Sequence, residues 1–380
     1  MAEESVKTLN DFEMVAKRKI CHEKRWLWNY ISAGDEKTRS EMRAAFQKYW
    51  LQPNVLTARV AVPSTWTTVL GQPIRMPICI SPTSAPTFID SPDGDALVAK
   101  VVAERGTLMV YSSVSKMNIE KFGSKLPPNG IYWAQTYLFR DKRNTLHLVR
   151  HAEKYGFKAL VVTVDSPIDF GSNFVSVDDV PDYLPEHVTE DSSPNLAFLD
   201  GKPREKRPYG ETELWTPFSG LGYKEIFCVS TWEDLAWLKT QTKLPIVLKG
   251  ILTAKAAKLA VKAGVDGILV SSHGGRQLVG APPPLAALPD VIEAVKGTNI
   301  EVYLDGEVRS GSDVFKAIAL GARAVFIARP ILWGLAVNRL EGVRNVLKIL
   351  EDEFTTVVTM CGCSSIQEVD SSYLKLKSLY

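Results

Sequence analysis

The sequence has few cysteines and histidines, no excess of either charge, and no apolar run long enough to span a bilayer. An odd, scattered set of five cysteines is not typical of a disulfide framework and favours a reducing compartment. Lysine and arginine total 45 against 43 aspartate and glutamate residues, so there is no general attraction to nucleic acid. We therefore expect small-molecule partners, with neither nucleic acid nor membrane among them.

The two ends of the sequence carry no recognisable targeting signal. Residues 1–13 are polar and have no apolar segment of the kind found in secretory signals. The last four residues read Lys-Ser-Leu-Tyr, which differs from the peroxisomal Ser-Lys-Leu address. The sequence predicts a cytoplasmic rather than a peroxisomal protein.

Two short pairs have the spacing of metal ligands but lack the rest of a metal site. Cys361 and Cys363 have no second cysteine pair or histidines nearby, and we interpret them as two thiols on a C-terminal helix. His147 and His151 have i,i+4 spacing, but no glutamate completes an H-E-x-x-H motif. We interpret that pair as the solvated face of an outer helix and predict no metal.

Short apolar runs alternate with amphipathic stretches through the middle of the chain. The runs are apolar on both faces, as in parallel strands covered by helices. The predicted strands are Ile78–Ser81, Thr107–Ser112, Ile131–Thr136, Ala159–Val164, Ile246–Lys249, Gly267–Ser271, Glu301–Leu304 and Ala324–Ile327. The predicted helices are Asp95–Arg105, Arg143–Tyr155, Thr253–Ala263, Pro289–Val295 and Gly311–Leu320.

Eight strands with crossover helices predict an α/β fold of the (β/α)₈ TIM-barrel type. A doubly wound open sheet is the alternative, but no G-x-G-x-x-G follows the first strand. We predict one domain over residues 1–380, with a helical segment at 1–70 that covers one barrel end, the barrel at 71–345, and a C-terminal helix and tail at 346–380. Within the barrel, residues 166–225 form a long lid-like loop, for which a functional lid and plain disorder are both open.

The carboxyl ends of barrel strands hold the active site in this fold, so residues there are candidates for chemistry. His273 is the one histidine of five at a predicted strand end, where it is suited to accept a proton. Asp165 can hold the resulting imidazolium, Arg276 can bind a carboxylate, and Lys249 supplies a fixed positive charge. This set fits flavin-dependent oxidation of a 2-hydroxy acid, and equally aldol or proton-transfer chemistry on a phosphorylated substrate.

The loops after strands seven and eight indicate a phosphate site. Arg309 and Arg329 follow these strands, and a helix N-terminus comes next after Arg309. Arginine forks match phosphate oxygens, although salt bridges on the barrel rim are the alternative. The phosphate can belong to a substrate or to a cofactor such as FMN.

The segment Val270-Ser-Ser-His-Gly-Gly-Arg-Gln-Leu278 resembles the active-site signature of the FMN-dependent 2-hydroxy acid oxidase and dehydrogenase family, which includes glycolate oxidase. The resemblance covers nearly the whole chain. It includes Thr68–Gly71, Met76–Ile78, Ser81–Thr83, Ser112–Ser113, Ala159–Asp165, Leu244–Gly250, Leu304–Gly306 and Gly321–Ala322.

The resemblance implies a role for each matching residue. His273 is implied as the base paired with Asp165, while Tyr137 contacts the substrate oxygen and Arg276 and Tyr30 bind its carboxylate. Lys249 is implied to stabilise the negative charge of the reduced flavin. The resemblance implies further FMN contacts: Ser112, Gln135 and Thr163 at the ring, the backbone of Pro82–Ser84 (with Thr83) near N5, Asp305 at the ribityl chain, and Arg309 and Arg329 at the phosphate. Ser271, Gly306 and Ala328 are also expected to contact FMN.

Four departures from the family pattern concern the substrate and the phosphate. Residues 166–173 lack the arginine that gives a second carboxylate contact, and Val114 replaces a common tryptophan. Glu307 and Ala328 each replace a glycine, and Glu307 would repel a phosphate unless it points away. A smaller side chain enlarges a pocket, so we predict a substrate larger than glycolate, with Val114 among its contacts.

The resemblance further implies dioxygen as electron acceptor, hydrogen peroxide as product, and a homo-oligomer, with a tetramer expected. A decarboxylating monooxygenase, or an oxidase of a modified 2-hydroxy carbonyl compound, is the enzymatic alternative. A flavin-binding protein without turnover is the alternative of another class, suggested by the missing arginine and the altered phosphate loop.

Overall fold

The computed structural model describes residues 6–57, 61–167, 198–199, 202–203 and 229–377. Most of the predicted lid-like loop at 166–225 therefore lies outside the described residues. No helix within the described ranges combines the length and apolarity needed to cross a bilayer.

Eight parallel strands close into a barrel in their order along the chain. Their pairing is parallel throughout, and the last strand closes on the first where Phe326 is in register with Cys79. The strands are β1 (Ile78–Ile80), β2 (Leu108–Tyr111), β3 (Ile131–Thr136), β4 (Leu160–Thr163), β5 (Ile246–Ile251), β6 (Gly267–Val270), β7 (Glu301–Asp305) and β8 (Ala324–Ile327). The predicted TIM barrel is confirmed, and the open sheet is wrong.

Helices surround this barrel, and two of them precede it. In chain order they are α1 (Leu9–Ser32), α2 (Glu36–Gln47), α3 (Pro86–Ile89), α4 (Gly94–Arg105), α5 (Ile119–Ser124), α6 (Lys142–Lys154), α7 (Trp232–Gln241), α8 (Ala254–Ala263), α9 (Pro284–Val295), α10 (Gly311–Ala319) and α11 (Arg329–Met360). Short antiparallel strand pairs join Tyr49–Leu51 to Leu374–Leu376, Thr67–Val69 to Gln72–Ile74, and Phe198–Leu199 to Lys202–Pro203.

Aromatic side chains fill the barrel interior. Trp133, Tyr303 and Phe326 are each buried, and their ring centroids lie 5.5 to 6.0 Å apart. Val69 and Ile74 of the hairpin before β1 belong to the same apolar cluster. This packing makes the barrel a closed core, so chemistry is confined to the strand ends.

Some predicted boundaries were wrong for identifiable reasons. Helix α9 starts at Pro284 rather than Pro289, because Pro284 already occupies the first turn, where proline loses no hydrogen bond. Strand β5 runs on to Ile251 through a register shift after Lys249. Helix α11 starts directly after β8, so the boundary predicted at residue 345 falls inside a helix, and Cys361 and Cys363 lie beyond its end.

The histidine pair on α6 is half-buried, which contradicts the predicted solvated face. His151 Nδ1 lies 2.7 Å from the carbonyl oxygen of His147, and its Nε2 lies 2.8 Å from Glu120 Oε1. These contacts connect α6 to α5 on the outside of the barrel, so the pair is part of helix packing.

Candidate active site

A sharp turn after β6 presents His273. His273, Gly274 and Gly275 have φ angles of 56°, 70° and 74°, in the left-handed region that glycine adopts freely and histidine rarely. The His273 backbone N–H donates to Ser271 Oγ over 3.0 Å, which helps to fix the turn. A strained non-glycine residue held in place by its surroundings is typical of a functional site.

The His273 ring is bound to a half-buried acid that follows β4, and β5 lies between β4 and β6 in the barrel. Its Nδ1 atom lies 2.8 Å from Oδ1 of Asp165, two residues after β4. Ser166 Oγ also donates to that oxygen over 3.1 Å. Gly250 is required beside this pair, because a Cβ there would lie 2.5 Å from the Cβ of Asp165.

Charges around the pair set its protonation. Burial alone would raise the pKa of the Asp165 carboxyl, but the charges of His273 and Lys249 outweigh it and lower that pKa to about 2. Burial lowers the pKa of the His273 imidazole, and Asp165 only partly offsets this. At neutral pH the site therefore holds a carboxylate beside a neutral imidazole, the state in which histidine can accept a proton.

Lys249 on β5 contacts polar side chains at the ends of β6 and β7. It is 4% exposed, and its Nζ donates to Ser271 Oγ over 3.1 Å and lies 3.8 Å from Asp305 Oδ2. Ser81 Oγ donates to the same Asp305 oxygen over 2.9 Å. Asp305 Oδ1 is buried and has no hydrogen-bond partner among the described residues, so it can accept from a bound molecule.

Polar side chains from β3 and β4 form a second connected group. Gln135 Nε2 donates to Thr163 Oγ1 over 3.1 Å, and Gln135 Oε1 accepts from both the backbone and hydroxyl of Ser113. Ser112 lies one residue earlier, and its Oγ accepts the N–H of Val114 over 3.4 Å. Buried amide and hydroxyl groups of this kind suit the polar edge of a flavin ring.

Helix α1 brings Tyr30 to the rim. The Arg276 guanidinium lies 4.9 Å from the centre of the Tyr30 ring, and its Nη1 donates to the Tyr30 carbonyl over 2.8 Å. The Tyr30 hydroxyl is hydrogen-bonded to Ser84 Oγ. Burial raises the pKa of Tyr137, and the nearby charge of Asp165 raises it further, so this phenol stays protonated and can donate a hydrogen bond.

Glu307 does not point away from the predicted phosphate arginines. Its side chain is fully buried, and Oε1 lies 3.1 Å from Arg309 Nη2 and 3.1 Å from Arg329 Nη1. Arg43 Nε lies 2.9 Å from Oε2. The arginines expected to face a phosphate therefore face a carboxylate of the chain itself, because Glu307 offers the same paired oxygens at close range.

Sequence reasoning missed several residues of the site. Ser81 and Ser166 are hydroxyls at strand ends, and closer attention to small polar residues there would have found them. Arg39 and Arg43 lie on α2, before the barrel, and nothing in their local pattern signals that they approach the loop after β7. Thr83 accepts the N–H of Ala85 at 3.4 Å, and Ala328 precedes the first turn of α11.

The site fits a flavin at the ring and ribityl positions. Asp305 offers a buried oxygen in need of a donor, and Lys249 is a buried cation close to it. The residues expected to bind the FMN phosphate fit it less well, because Arg309 and Arg329 both already form ion pairs with Glu307. A phosphate bound there would meet that carboxylate.

Comparison with known proteins agrees with this geometry. The model of the FMN-dependent dehydrogenase family matches residues 17–376. The chain is 39% identical to 2-hydroxyacid oxidase 1 from Homo sapiens, over 98% of this chain and 97% of that protein. It is 40% identical to L-lactate oxidase from a Nostoc strain, over 91% and 92% of the two chains.

A solved structure of mandelate oxidase with (S)-4-hydroxymandelic acid has the same fold. It superimposes with a TM-score of 0.81 at 30% identity, covering 98% of this chain and 100% of the other. The barrel fold, the residues at its strand ends and the similarity to these proteins together define a flavin-dependent oxidoreductase that acts on the CH–OH group of a 2-hydroxy acid. The chain belongs to the FMN-dependent dehydrogenase family, so the predicted family and cofactor are confirmed.

Proposed function

We propose that this chain oxidises a 2-hydroxy acid larger than glycolate to the 2-oxo acid, with dioxygen as the final acceptor. The substrate gives up two electrons and two protons, and dioxygen takes up both to form hydrogen peroxide. FMN, when bound, would supply the two-electron redox chemistry that links the substrate to dioxygen. The observation that carries the proposal is the 2.8 Å contact between His273 and Asp165 at the barrel rim.

In this proposal His273 takes a proton from the substrate at Nε2, since its Nδ1 is bound to Asp165. The Asp165 carboxylate holds the ring in the required orientation and stabilises the imidazolium that forms. Tyr137 remains a phenol and donates to the substrate oxygen. Arg276 and Tyr30 hold the carboxylate, and their mutual contact fixes the position of both.

The proposed flavin contacts follow from the polar groups on the strand ends. The buried ammonium of Lys249 supplies positive charge where the ring becomes negative. Asp305 would accept from the ribityl chain, and Gly306 follows it directly, with Met42 and Pro284 packed where a side chain at residue 306 would point. The ring edge is held by Ser112, Gln135, Thr163, Ser271, Thr83 and Ser84, and the phosphate is approached by Arg309, Arg329 and Ala328.

The size of the substrate is proposed from two departures. Val114 stands where the family resemblance implies a tryptophan, and a valine side chain leaves more volume for a substrate. Residues 166–173 contain no arginine that could make a second contact with the substrate carboxylate. Of these residues, only Ser166 and Pro167 lie within the described part of the chain. A carboxylate then depends on Arg276 and Tyr30 alone, which favours substrates that gain further affinity from apolar contacts.

A substrate series tests this proposal. Flavin reduction is followed anaerobically with glycolate, L-lactate, 2-hydroxyoctanoate and (S)-mandelate, and kcat/KM should rise at least about tenfold from the smallest to the largest acids. Val114→Trp should reverse the order, while Val55→Trp at an exposed position should not. Good turnover of glycolate with none of the larger acids contradicts the size proposal.

Product analysis distinguishes the alternatives. An oxidase gives the 2-oxo acid and hydrogen peroxide in equal amounts, whereas a decarboxylating monooxygenase gives a shortened acid and carbon dioxide. Preference for 2-hydroxy-phenylacetamide over mandelate would indicate a modified carboxyl group as substrate. Flavin that binds but is reduced by none of these compounds would indicate a protein without turnover.

The proposal extends to the state of the protein in the cell. We expect a homo-oligomer, with a tetramer implied by the family resemblance, and a cytoplasmic location. Light scattering on the purified protein and fractionation of cells test these two expectations separately.

A further inference from the structure

A cluster of charged residues surrounds the loop after β7. Glu307 lies at its centre with a φ angle of 56° and a side chain that is 0% exposed. Arg309 lies in the loop after β7 and Arg329 is the first residue of α11, while Arg39 and Arg43 lie on α2. Four guanidinium groups thus approach a single carboxylate within 4.0 Å.

The contacts of Glu307 are divided between its two oxygens. Oε1 accepts from Arg309 Nη2 and Arg329 Nη1, each over 3.1 Å, and Oε2 accepts from Arg43 Nε over 2.9 Å. Burial would raise the pKa of this carboxyl, but Arg309, Arg329 and Arg43 outweigh it and lower the pKa to about 2. Glu307 is therefore an anion at neutral pH.

Arg329 has little capacity left for another anion. Its Nε donates to the Ile31 carbonyl over 3.0 Å, and its Nη2 donates to the carbonyls of Ala33 and Gly274 over 2.7 and 3.1 Å. With Nη1 bound to Glu307, four of its five N–H groups are engaged. The guanidinium that the sequence suggested for a phosphate is largely occupied by the protein itself.

The cluster still carries an excess of positive charge. Four arginines face two carboxylates, Glu13 and Glu307, which leaves two positive charges. Within the described part of the chain, Arg39 Nε and Arg309 Nε are buried without a hydrogen-bond partner. An incoming phosphate is thus attracted to the cluster, but it must share the arginines with Glu307 at short range.

We propose that Glu307 is an internal counter-anion that competes with the FMN phosphate for these arginines, so that this chain discriminates only weakly between FMN and riboflavin. The flavin is then held mainly through its ring and ribityl chain. This inference rests on the proposed flavin site, whose ring and ribityl contacts do not involve Glu307.

Binding of the two flavins to the apoprotein tests the proposal. Quenching of flavin fluorescence gives Kd for FMN and for riboflavin, and in the unchanged protein the two values should agree within about tenfold. Glu307→Gln keeps the shape of the side chain and removes its charge. It should tighten FMN by about 30-fold, as expected when a charged hydrogen-bond site is freed, and change riboflavin less than threefold.

A matched control is Glu104→Gln, which removes a carboxylate bound to Arg344 away from the barrel mouth. Both Kd values should stay unchanged in that variant. The proposal is overturned if unchanged protein prefers FMN by about 1000-fold or more, since the phosphate then binds without hindrance. It is equally overturned if Glu307→Gln weakens both flavins alike, because Glu307 then has only a structural role.

Competition by inorganic phosphate supplies a test that needs no variant. If Glu307 holds the arginines, 100 mM phosphate (about the upper end of common buffers, with salt matched by chloride) leaves Kd for FMN unchanged. A tenfold weakening of FMN with no effect on riboflavin overturns the proposal. Failure to bind either flavin is a different outcome, because it contradicts the flavin site and the proposed function together.

Discussion

The Nδ1 atom of His273 lies 2.8 Å from the Oδ1 atom of Asp165, across the ends of β6 and β4. The second carboxylate oxygen, Oδ2, is buried and has no hydrogen-bond partner among the described residues. One oxygen of the Asp165 carboxylate therefore binds the His273 imidazole, and the other remains available to a further hydrogen-bond donor.

His273→Gln removes the proposed base while keeping a polar side chain of similar size. The rate of anaerobic flavin reduction by a 2-hydroxy acid should fall by about 10²- to 10⁴-fold, the usual contribution of a positioned base. His151→Gln, on the outer helix α6, should leave that rate unchanged. Flavin reduction at the original rate in His273→Gln, with normal flavin absorbance, would falsify the proposed role.

Asp165→Asn removes the charge beside His273 and should change the pH profile. Since the pKa of His273 lies below its ordinary value of about 6.5, kcat/KM in the unchanged protein should rise with pH through a midpoint below that value and then level off. Asp165 raises that pKa, so its loss should move the midpoint to lower pH and lower the plateau.

The pH profile is measured as kcat/KM between about pH 4.5 and pH 9, the range in which an imidazole titrates. Asp352→Asn, which removes a surface carboxylate bound to Lys348, serves as the control and should leave the midpoint in place. A midpoint that stays fixed in Asp165→Asn means that a group other than His273 is the base.

Lys249→Met replaces a buried ammonium with an uncharged chain of similar length. If Lys249 stabilises negative charge on the reduced flavin, the midpoint potential should become more negative by about 30–60 mV, equivalent to a loss of one or two charged contacts. Potentials are measured against reference dyes, with Lys258→Met on an exposed face of α8 as control. An unchanged potential would remove Lys249 from the flavin contacts.

Gly311→Ala tests how closely α10 packs against α11. A Cβ at residue 311 would lie 2.1 Å from the backbone nitrogen of Phe354, so one helix must move. We expect a loss of about 1–3 kcal/mol in the free energy of unfolding, as for other overpacked sites. Urea denaturation measures it, and no loss would mean that the two helices separate without cost.

A suitable comparison for Gly311→Ala is Gly297→Ala. Nothing lies within 4 Å of a Cβ at residue 297, and only its φ angle of 79° opposes the change. That conformational strain alone costs about 1–2 kcal/mol. Flavin binding should be retained in both variants, because neither glycine is a proposed flavin contact.

The sequence predicts most of the barrel because its strands are short, apolar on both faces and separated by amphipathic helices. Strands β3 and β8 have the predicted bounds, β2 and β4 are one residue shorter than predicted at each end, and the other strands differ by one or two residues at one end. Helix α9 was misplaced because two prolines, Pro284 and Pro289, compete as the first residue. Local pattern cannot tell which of the two prolines begins the helix.

The candidate site was predictable where strand ends alone bring residues together, as for His273, Asp165 and Lys249. It was not predictable where a residue from outside the barrel joins the site. Arg43 approaches Glu307 from a helix 264 positions away in the sequence. The orientation of the Glu307 side chain depends on that contact, and no short motif contains both residues.

Backbone carbonyls attach the segment before the barrel to the catalytic loops. Arg329 holds the carbonyls of Ile31 and Ala33, and Arg276 holds that of Tyr30. Every amino acid supplies the same carbonyl group, so these attachments do not depend on which side chains stand at residues 30, 31 and 33. Exchange of residues 30–33 alone between family members therefore keeps these attachments and leaves Arg39 and Arg43 in place beside Glu307.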